Sequence, residues 1–517
     1  MIETLGDIIR NNAHKFPEET AYVYNGRRIS FGEHHERANR LASALWTLGL
    51  RRQDRVSILS QNSIEFMECY AACELAGFIA ATVNFRLAAP EMTYILTDST
   101  PRILIFEAQY AGIVDQIRGN LPHIETYVCF GGDTPDWAVD YEDLVARGDP
   151  AGAPTRPLPE EIVHLIYTSG TTGRPKGVMR SNIGDIAIAN LMATELGLIV
   201  SDRLQLMMPV FHVGARFLQL AAHLRGASVV LHHDFKPEEI LETITREKVT
   251  MTHMAPTMIQ ALMAVPGIDQ ADVSSLHTIC YSAAPMPVPL LRRGLQLFGP
   301  VFLQLYGMTE GGGTTLHKYQ HKPDGTPEDI RRLGSIGQAA PTVDIKIIDD
   351  NGDELPVGQP GEILTRTPSH MMGYWNNSAA TIQALRGGWY HTGDLGYVDA
   401  QGFLYLVDRK KDMIISGGEN IYSREVEEAL ATHPAVADAA VIGVKDDYWG
   451  ETVRAIVVLT GDATLTEEEL IDYCRTQIAS YKKPKSILFV DTLPRLPSGK
   501  INKVVLRQLY GAASKAG

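Results

Sequence analysis

Apolar and polar positions in the first hundred residues switch between a helical and a strand period. Ala38, Leu41, Leu45 and Leu48 repeat at helical spacing behind Ser30 and Glu33, a capping-box pair, and Asn25-Gly26 marks a hairpin turn before them. Beyond, DRVSILS reads as a strand, 63–76 as an amphipathic helix, FIAATVN as a strand, 90–98 as a helix and RILIF as a strand. This alternation predicts a largely parallel sheet with helices on its faces. VTMTHMA and HTICYSAA continue it as strands that run into Pro- and Gly-rich loops, where ligands of open α/β sheets gather.

From Gly334 the texture changes. VDIKIID, NGDELPVG, GEILTRT and GFLYLVD are short strands with turn chemistry between them, which predicts a β-rich unit. After the polar joint DRKKD, a helix over Ser423–Ala431, strands VADAAVIGV and TVRAIVVLT, a helix in LTEEELIDYCRTQIA and a strand in ILFVDTLP predict a small α+β domain. The expected fold class is therefore α/β: a large N-terminal domain of parallel-sheet subdomains with a β-rich subdomain, then a small C-terminal domain. The expected boundaries are 1–407, a joint at 408–411, and 412–517.

The chain's 517 residues suffice for about three or four folding units. Hydrophobic residues at 45% and charged residues at 21% exclude collagen-like, disordered and disulfide-scaffold classes. A net charge of −14 argues against whole-surface binding of nucleic acid or anionic membrane, and leaves room for a local basic pocket. No apolar run approaches the roughly 18 residues of a membrane span. The start, MIETLGDIIRNN, lacks the pattern of a signal or transit peptide, so the cytosol is the expected compartment. Of the five cysteines none forms a CxxC pair, and Cys69 and Cys73, four apart on one helix face, are read as buried thiols.

The strongest local signal is YTSGTTGRPKG at 167–177, directly after the apolar strand IVHLI. Gly170 and its neighbours let backbone approach an anion, the hydroxyls of Thr168, Ser169, Thr171 and Thr172 donate hydrogen bonds, and Lys176 supplies charge. This is a polyphosphate cradle. It differs from a Walker loop, because Pro175 precedes the lysine and Gly177 follows it.

The segment resembles the signature of the adenylate-forming superfamily, which includes acyl- and aryl-CoA synthetases, the adenylation domains of peptide synthetases and luciferases. Further motifs occur in that family's order: FHVG at 211–214, SAAP at 282–285, YGMTE at 306–310, HTGD at 391–394, DRKKDMIISGGENIYSREVE at 408–427 and PSGKINK at 497–503. The resemblance covers essentially the whole chain. It implies the family's fold with a mobile C-terminal domain, and ATP, Mg²⁺ and CoA as the molecules used. It sets Tyr306 and Gly307 against adenine together with Ser282, Ala283, Ala284 and Pro285, Thr309 on the α-phosphate, and Glu310 on magnesium. Asp394 and Arg409 become the ribose pair, Lys500 the lysine that meets the reacting carboxylate and phosphate, and Lys411 the hinge. Gly417 and Gly418 are expected along a pantetheine tunnel. Taken alone, Glu310 would be read as a solvated carboxylate, Arg409 as part of a solvated joint and Lys500 as a surface lysine.

The implied reaction has two halves: a carboxylate attacks the α-phosphorus of ATP and releases pyrophosphate, then a thiol displaces AMP. Coenzyme A is favoured as acceptor over a carrier protein. His212 stands where amino-acid-activating relatives carry an Asp, and Arg86, Trp449, Tyr481 and Lys483 fall where aryl-CoA ligases hold the CoA nucleotide. The resemblance sets the acyl pocket among His212, Val213, Tyr281 and Gly311–Gly313. The three glycines either open space for an aromatic or longer acid or form a mobile loop, and His212 either orients the carboxylate, gates the tunnel or is a hydrogen-bonded core histidine. Asp408 departs from the family, where Gly is common, as does SAAP beside adenine. The competing functions are a stand-alone activator that loads a carrier protein and a nucleotide-binding module without chemistry. A small carboxylic acid is the expected partner, a membrane span is not, and the oligomeric state is open, with a homodimer as one candidate.

Overall fold

The computed structural model of the protein describes residues 1–168, 175–284, 286–416, 419–446, 448–461, 463–495 and 500–511. Packing divides the chain into two compact units: 1–344 with 365–390, and 345–364 with 391–517. The β-rich segment therefore packs with the C-terminal lobe, whereas the sequence set the division at 408–411.

Among the described residues the first unit holds a nine-stranded and an eight-stranded sheet. The expected early elements appear as Arg55–Leu59, Ile64–Ala76, Ile79–Val83, Ala89–Ser99 and Ile103–Glu107. Ser30 accepts from Glu33 N at 3.1 Å, as its spacing suggests. Pairing in the middle of both sheets is parallel. A core that includes Leu41, Phe66, Cys69, Val56, Leu204 and Leu218 joins residues of both sheets and their helices. Burial of about 1.5–3 kcal/mol per large apolar side chain makes this layer the main cohesive element. Cys69 and Cys73 are fully buried in it.

Each large sheet has one antiparallel hairpin that matters for the site. In one, Ile162–Thr168 pairs with Lys176–Ser181; in the other, Phe302–Met308 pairs with Gly311–Leu316. All but the end residues of a four-stranded sheet, Asp344–Ile348, Gly361–Arg366, Tyr390–Val398 and Leu404–Arg409, belong to the second unit. NGDELPVG forms only an isolated bridge, Ile348 to Glu354, because Gly352 at φ 93° and the Asp349 side chain fold it as a turn. The lobe after the joint pairs Val436–Asp446 with Gly450–Leu459 and packs Ser423–Ala431 against them. No helix among the described residues is long and apolar enough to cross a membrane.

Candidate active site

The two hairpins converge on one carboxylate in the first unit. Register sets Thr168 opposite Lys176, so both ends of the cradle loop meet at the strand tips. Ser169, Gly170, Thr171, Thr172, Pro285, Gly417 and Gly418 lie outside the described residues. Tyr306 and Gly307 end the Phe302–Met308 strand, and Thr309 and Glu310 form the tight turn into Gly311–Leu316; both are buried. A third segment, 371–375, ties the hairpins together. Met371 N donates to Glu310 O at 2.7 Å, while Gly373 and Tyr374 pair with Met179 and Val178.

Tyr374 is a functional group that sequence reasoning missed. Its hydroxyl donates to Glu310 Oε1 at 2.9 Å, and Lys176 Nζ lies 4.9 Å over its ring. Burial pushes the Glu310 carboxyl above the ordinary range, opposed by the Tyr374 hydrogen bond, Lys176 and Arg180. Nothing in MMGYWNN marks Tyr374 as more than a turn aromatic; its role follows from strand pairing about 200 residues from Lys176 in sequence. Tyr374→Phe removes a donor to the ionised carboxylate, which raises its pKa further. The acid limb of kcat/KM for ATP is then expected to move to higher pH, with a loss of about 10- to 100-fold, as for a charge-assisted hydrogen bond. A pH–rate profile of the variant beside wild type checks this.

Behind the turn runs a buried charge relay. Arg180 Nη1 donates to Ser369 O at 2.7 Å and to Thr309 O at 3.4 Å, and its Nε pairs with Asp185 at 2.7 Å. Asp185 meets His164 Nδ1 at 2.6 Å, His164 Nε2 meets Glu74 at 3.0 Å, and Glu74 pairs with Arg216. Burial raises the Asp185 carboxyl, but Arg180 and His164 outweigh it and leave the group below its ordinary range. Ser369 Oγ accepts from Gly312 N at 3.2 Å, so one arginine and one serine hold the Thr309–Gly312 backbone.

The predicted acyl residues divide. His212 caps the Val213–Leu224 helix, where its Nδ1 accepts from Gly214 N at 3.4 Å. Ser282 is held by His253 Nε2 at 2.7 Å, a partner the sequence did not suggest, and Ala283 beside it and Ala284 begin a turn with Ala283 at φ 72°. Tyr281 turns into the outer core with Leu291 and Phe302, its hydroxyl joined to His321 at 2.9 Å. The glycines lie in a buried strand rather than a mobile loop. A Cβ at Gly311 would meet His370 Cδ2 at 2.5 Å, and one at Gly313 the Tyr306 carbonyl at 2.2 Å.

In the second unit, Asp394 and Arg409 are cross-strand partners, with Arg409 Nε 3.2 Å from Asp394 Oδ1. Asp408, the departure from the family pattern, has a structural task. Its carboxylate accepts from Ser423 N, from Ser423 Oγ at 3.1 Å and from Arg409 N at 2.7 Å, so it caps the helix after the joint. Lys503 donates to the same Ser423 Oγ at 2.6 Å and pairs with Glu427 at 2.7 Å. Lys411 is followed by Asp412, which Arg507 holds at 2.7 Å. Lys500 adjoins the Arg495–Ile501 bridge that closes its loop. Lys503→Met leaves the Glu427 carboxylate without its cation. A destabilisation of about 1–3 kcal/mol is expected, read as a lower denaturant midpoint, with Lys503→Arg restoring most of it.

Of the proposed CoA residues, Arg86 stacks on Phe85 at 4.8 Å in the first unit. In the second, exposed Trp449 packs against Tyr448 at 4.9 Å with Lys485 Nζ 5.1 Å over its ring, Tyr481 is exposed beside Lys482, and Lys483 is half-buried. Among the described residues no cluster of three His, Cys, Asp or Glu side chains forms a metal cage. A single buried carboxylate beside a phosphate cradle fits Mg²⁺, which binds through one or two carboxylates together with substrate phosphates.

Comparison with known proteins gives concordant findings. The AMP-binding enzyme family matches residues 9–375, and the AMP-binding enzyme C-terminal domain matches 425–500. Feruloyl-CoA synthase from an Amycolatopsis species is 37% identical over 512 residues, covering 98% of this chain and 99% of that protein. Indoleacetate–CoA ligase from Aromatoleum aromaticum is 36% identical, covering 98% of each. The crystal structure of ATP-bound MatB from Rhodopseudomonas palustris superposes with a TM-score of 0.90 at 29% identity, covering 99% of both chains.

Proposed function

Because this chain belongs to the AMP-binding enzyme family, we propose that its ordered motifs work together as an AMP-forming acid–CoA ligase. The observation that carries the reading is the buried Glu310 at the meeting of the cradle hairpin and the YGMTE turn, with Lys176 and Tyr374 around it. Mg²⁺ held by Glu310 and the ATP phosphates would neutralise phosphate charge. The remaining work falls to side chains. Lys176 and the hydroxyls of Thr168, Ser169, Thr171 and Thr172 hold the β- and γ-phosphates, Thr309 the α-phosphate and Tyr306 the adenine; Asp394 accepts from the ribose hydroxyls with Arg409 beside it.

In the first half-reaction a carboxylate oxygen bonds to the α-phosphorus as the bond to pyrophosphate breaks. Two anions approach each other, so the barrier is largely electrostatic, and Lys500 offsets it at the oxygens where charge develops. In the second, a thiolate adds to the acyl carbonyl, AMP leaves, and a thioester remains. Lys411 is the proposed hinge between the two states, with Gly417 and Gly418 beside the pantetheine arm and Arg86, Trp449, Tyr481 and Lys483 on the CoA nucleotide. His212 and Val213 border the acid.

The test is a panel of aliphatic, aryl and cinnamic acids with ATP, in which free CoA is compared with a phosphopantetheinyl carrier protein. The reading expects thioester on CoA and AMP as the nucleotide product. A product found only on the carrier would transfer the protein to the stand-alone activators.

A further inference from the structure

His164 sits on the strand Ile162–Thr168 that leads into the cradle, and its side chain is fully buried. Its two ring nitrogens face carboxylates from two different helices. Nδ1 lies 2.6 Å from Asp185 on Asn182–Leu196, and Nε2 lies 3.0 Å from Glu74 on Ile64–Ala76. An ionised carboxylate only accepts hydrogen bonds, so the ring meets both partners as a donor. Edge-on packing against Tyr70, with ring centres 5.1 Å apart, fixes its plane.

Each carboxylate passes the hold on to a different part of the site. On one side Asp185 fixes Arg180, the residue opposite His164 in the strand register. Arg180 in turn carries the carbonyls of Ser369 and of Thr309, the residue before Glu310. On the other side Glu74 pairs with Arg216, which lies one turn into the helix Val213–Leu224 that His212 caps. Arg216 N also donates to His212 O at 3.1 Å, and its guanidinium lies 4.1 Å over the Tyr70 ring. The Tyr70 hydroxyl donates to Val210 O at 3.0 Å, two residues before His212. The chain Arg180–Asp185–His164–Glu74–Arg216 therefore runs from the turn that carries Thr309 and Glu310 to the helix start at His212. Buried ion pairs gain little net stability over apolar packing; what they fix is position.

Resting on the reading that Thr309 and Glu310 serve ATP and that His212 borders the acid, we infer that His164 is a positioning residue that holds the two substrate sides in register for in-line attack. Through Asp185 it sets the ATP turn, and through Glu74 it sets the acid-side helix.

Two near-isosteric variants divide these tasks. The amide N–H of an Asn side chain falls close to the Nδ1 position, and that of a Gln side chain close to Nε2. The experiment measures pyrophosphate release with CoA in wild type, His164→Asn and His164→Gln. ATP is varied first, then the acid of the aliphatic, aryl and cinnamic panel on which wild type is fastest. His164→Asn keeps the Asp185 side. It is expected to raise KM for the acid about 3- to 30-fold, the scale on which residues along such networks alter coupling, with KM for ATP within about 2-fold of wild type. His164→Gln is expected to show the reverse pattern. Glu74→Gln leaves His164 and Asp185 in place, should repeat the first pattern, and carries the test where a ring variant fails to fold. Equal rises in both constants, a rise in neither, or lowered folding stability without this crossed pattern would overturn the inference and leave the ligase reading intact. Absence of pyrophosphate release from wild type with every acid would overturn the ligase reading, and this inference with it.

Discussion

Lys500→Ala is expected to lower acyl-adenylate formation by at least about 100-fold, the scale of removing one well-placed electrostatic donor. The carboxylate and the triphosphate repel each other at every stage of approach, and negative charge shifts onto the bridging and pyrophosphate oxygens as the bond breaks. An ammonium group at those oxygens acts most strongly in the transition state, so the loss falls on kcat more than on KM. The structure shows why the loss can be local. Lys500 adjoins a loop base closed by the Arg495–Ile501 bridge and by Asn502 N to Pro494 O at 2.7 Å, and Asn502 then caps the helix Lys503–Tyr510. Truncating one side chain there leaves these backbone contacts in place. Transfer from a supplied acyl-adenylate to CoA should continue within a few-fold of wild type. Rapid-quench measurement of each half-reaction separates the two, and an undiminished adenylation rate would remove Lys500 from the chemistry.

The second large effect concerns stability. Arg180→Met is expected to destabilise the first unit by about 3–5 kcal/mol, the usual result of removing one partner of a buried ion pair. Arg180 and Asp185 are both fully buried, and the arginine also serves two backbone carbonyls, of Ser369 and Thr309. Removal leaves a carboxylate deep in the core with only His164 to meet it. The pH dependence has a definite sign. Asp185 lies below its ordinary value of 3.8, so its stabilising contribution is fully present above that value and is lost as pH falls through the lower folded one. The gap between variant and wild type should therefore narrow as pH falls, because the uncompensated Asp185 of the variant takes up its proton at higher pH than the paired group of wild type. Replacing both partners, as in Arg180→Met with Asp185→Leu, should recover much of the loss, which urea unfolding midpoints report. Because Arg180 holds Thr309, the single variant is also expected to raise KM for ATP.

The sequence made some of this legible and hid the rest for identifiable reasons. Strands such as Arg55–Leu59 and Ile103–Glu107 are largely apolar runs between turn signals, and Ser30 caps its helix where its spacing from Glu33 suggests. Gly311–Gly313 left two readings open, space for a larger acid or a mobile loop, because glycine gains little from a pleated surface. They lie in the strand Gly311–Leu316, where side chains at Gly311, Gly312 or Gly313 would strike His370, Leu191 or the Tyr306 backbone. NGDELPVG failed in the opposite sense, since its turn residues dominate its apolar ones. Thr168, Lys176, Thr309 and Glu310 stand in chemically dense local motifs, and the fold brings Lys176 and Glu310 together around Tyr374. Tyr374, Arg180 and His253 had no such signal, because each draws its meaning from a partner tens to hundreds of residues away in sequence. Asp408 was seen as a departure, and only the fold shows its compensation, the capping of Ser423.

The most direct test of the account is ATP–pyrophosphate exchange with labelled pyrophosphate in the absence of CoA. The account predicts exchange that requires a carboxylic acid and Mg²⁺ and that collapses in Glu310→Gln. Exchange that is independent of the acid, or turnover that yields ADP and orthophosphate, would contradict it.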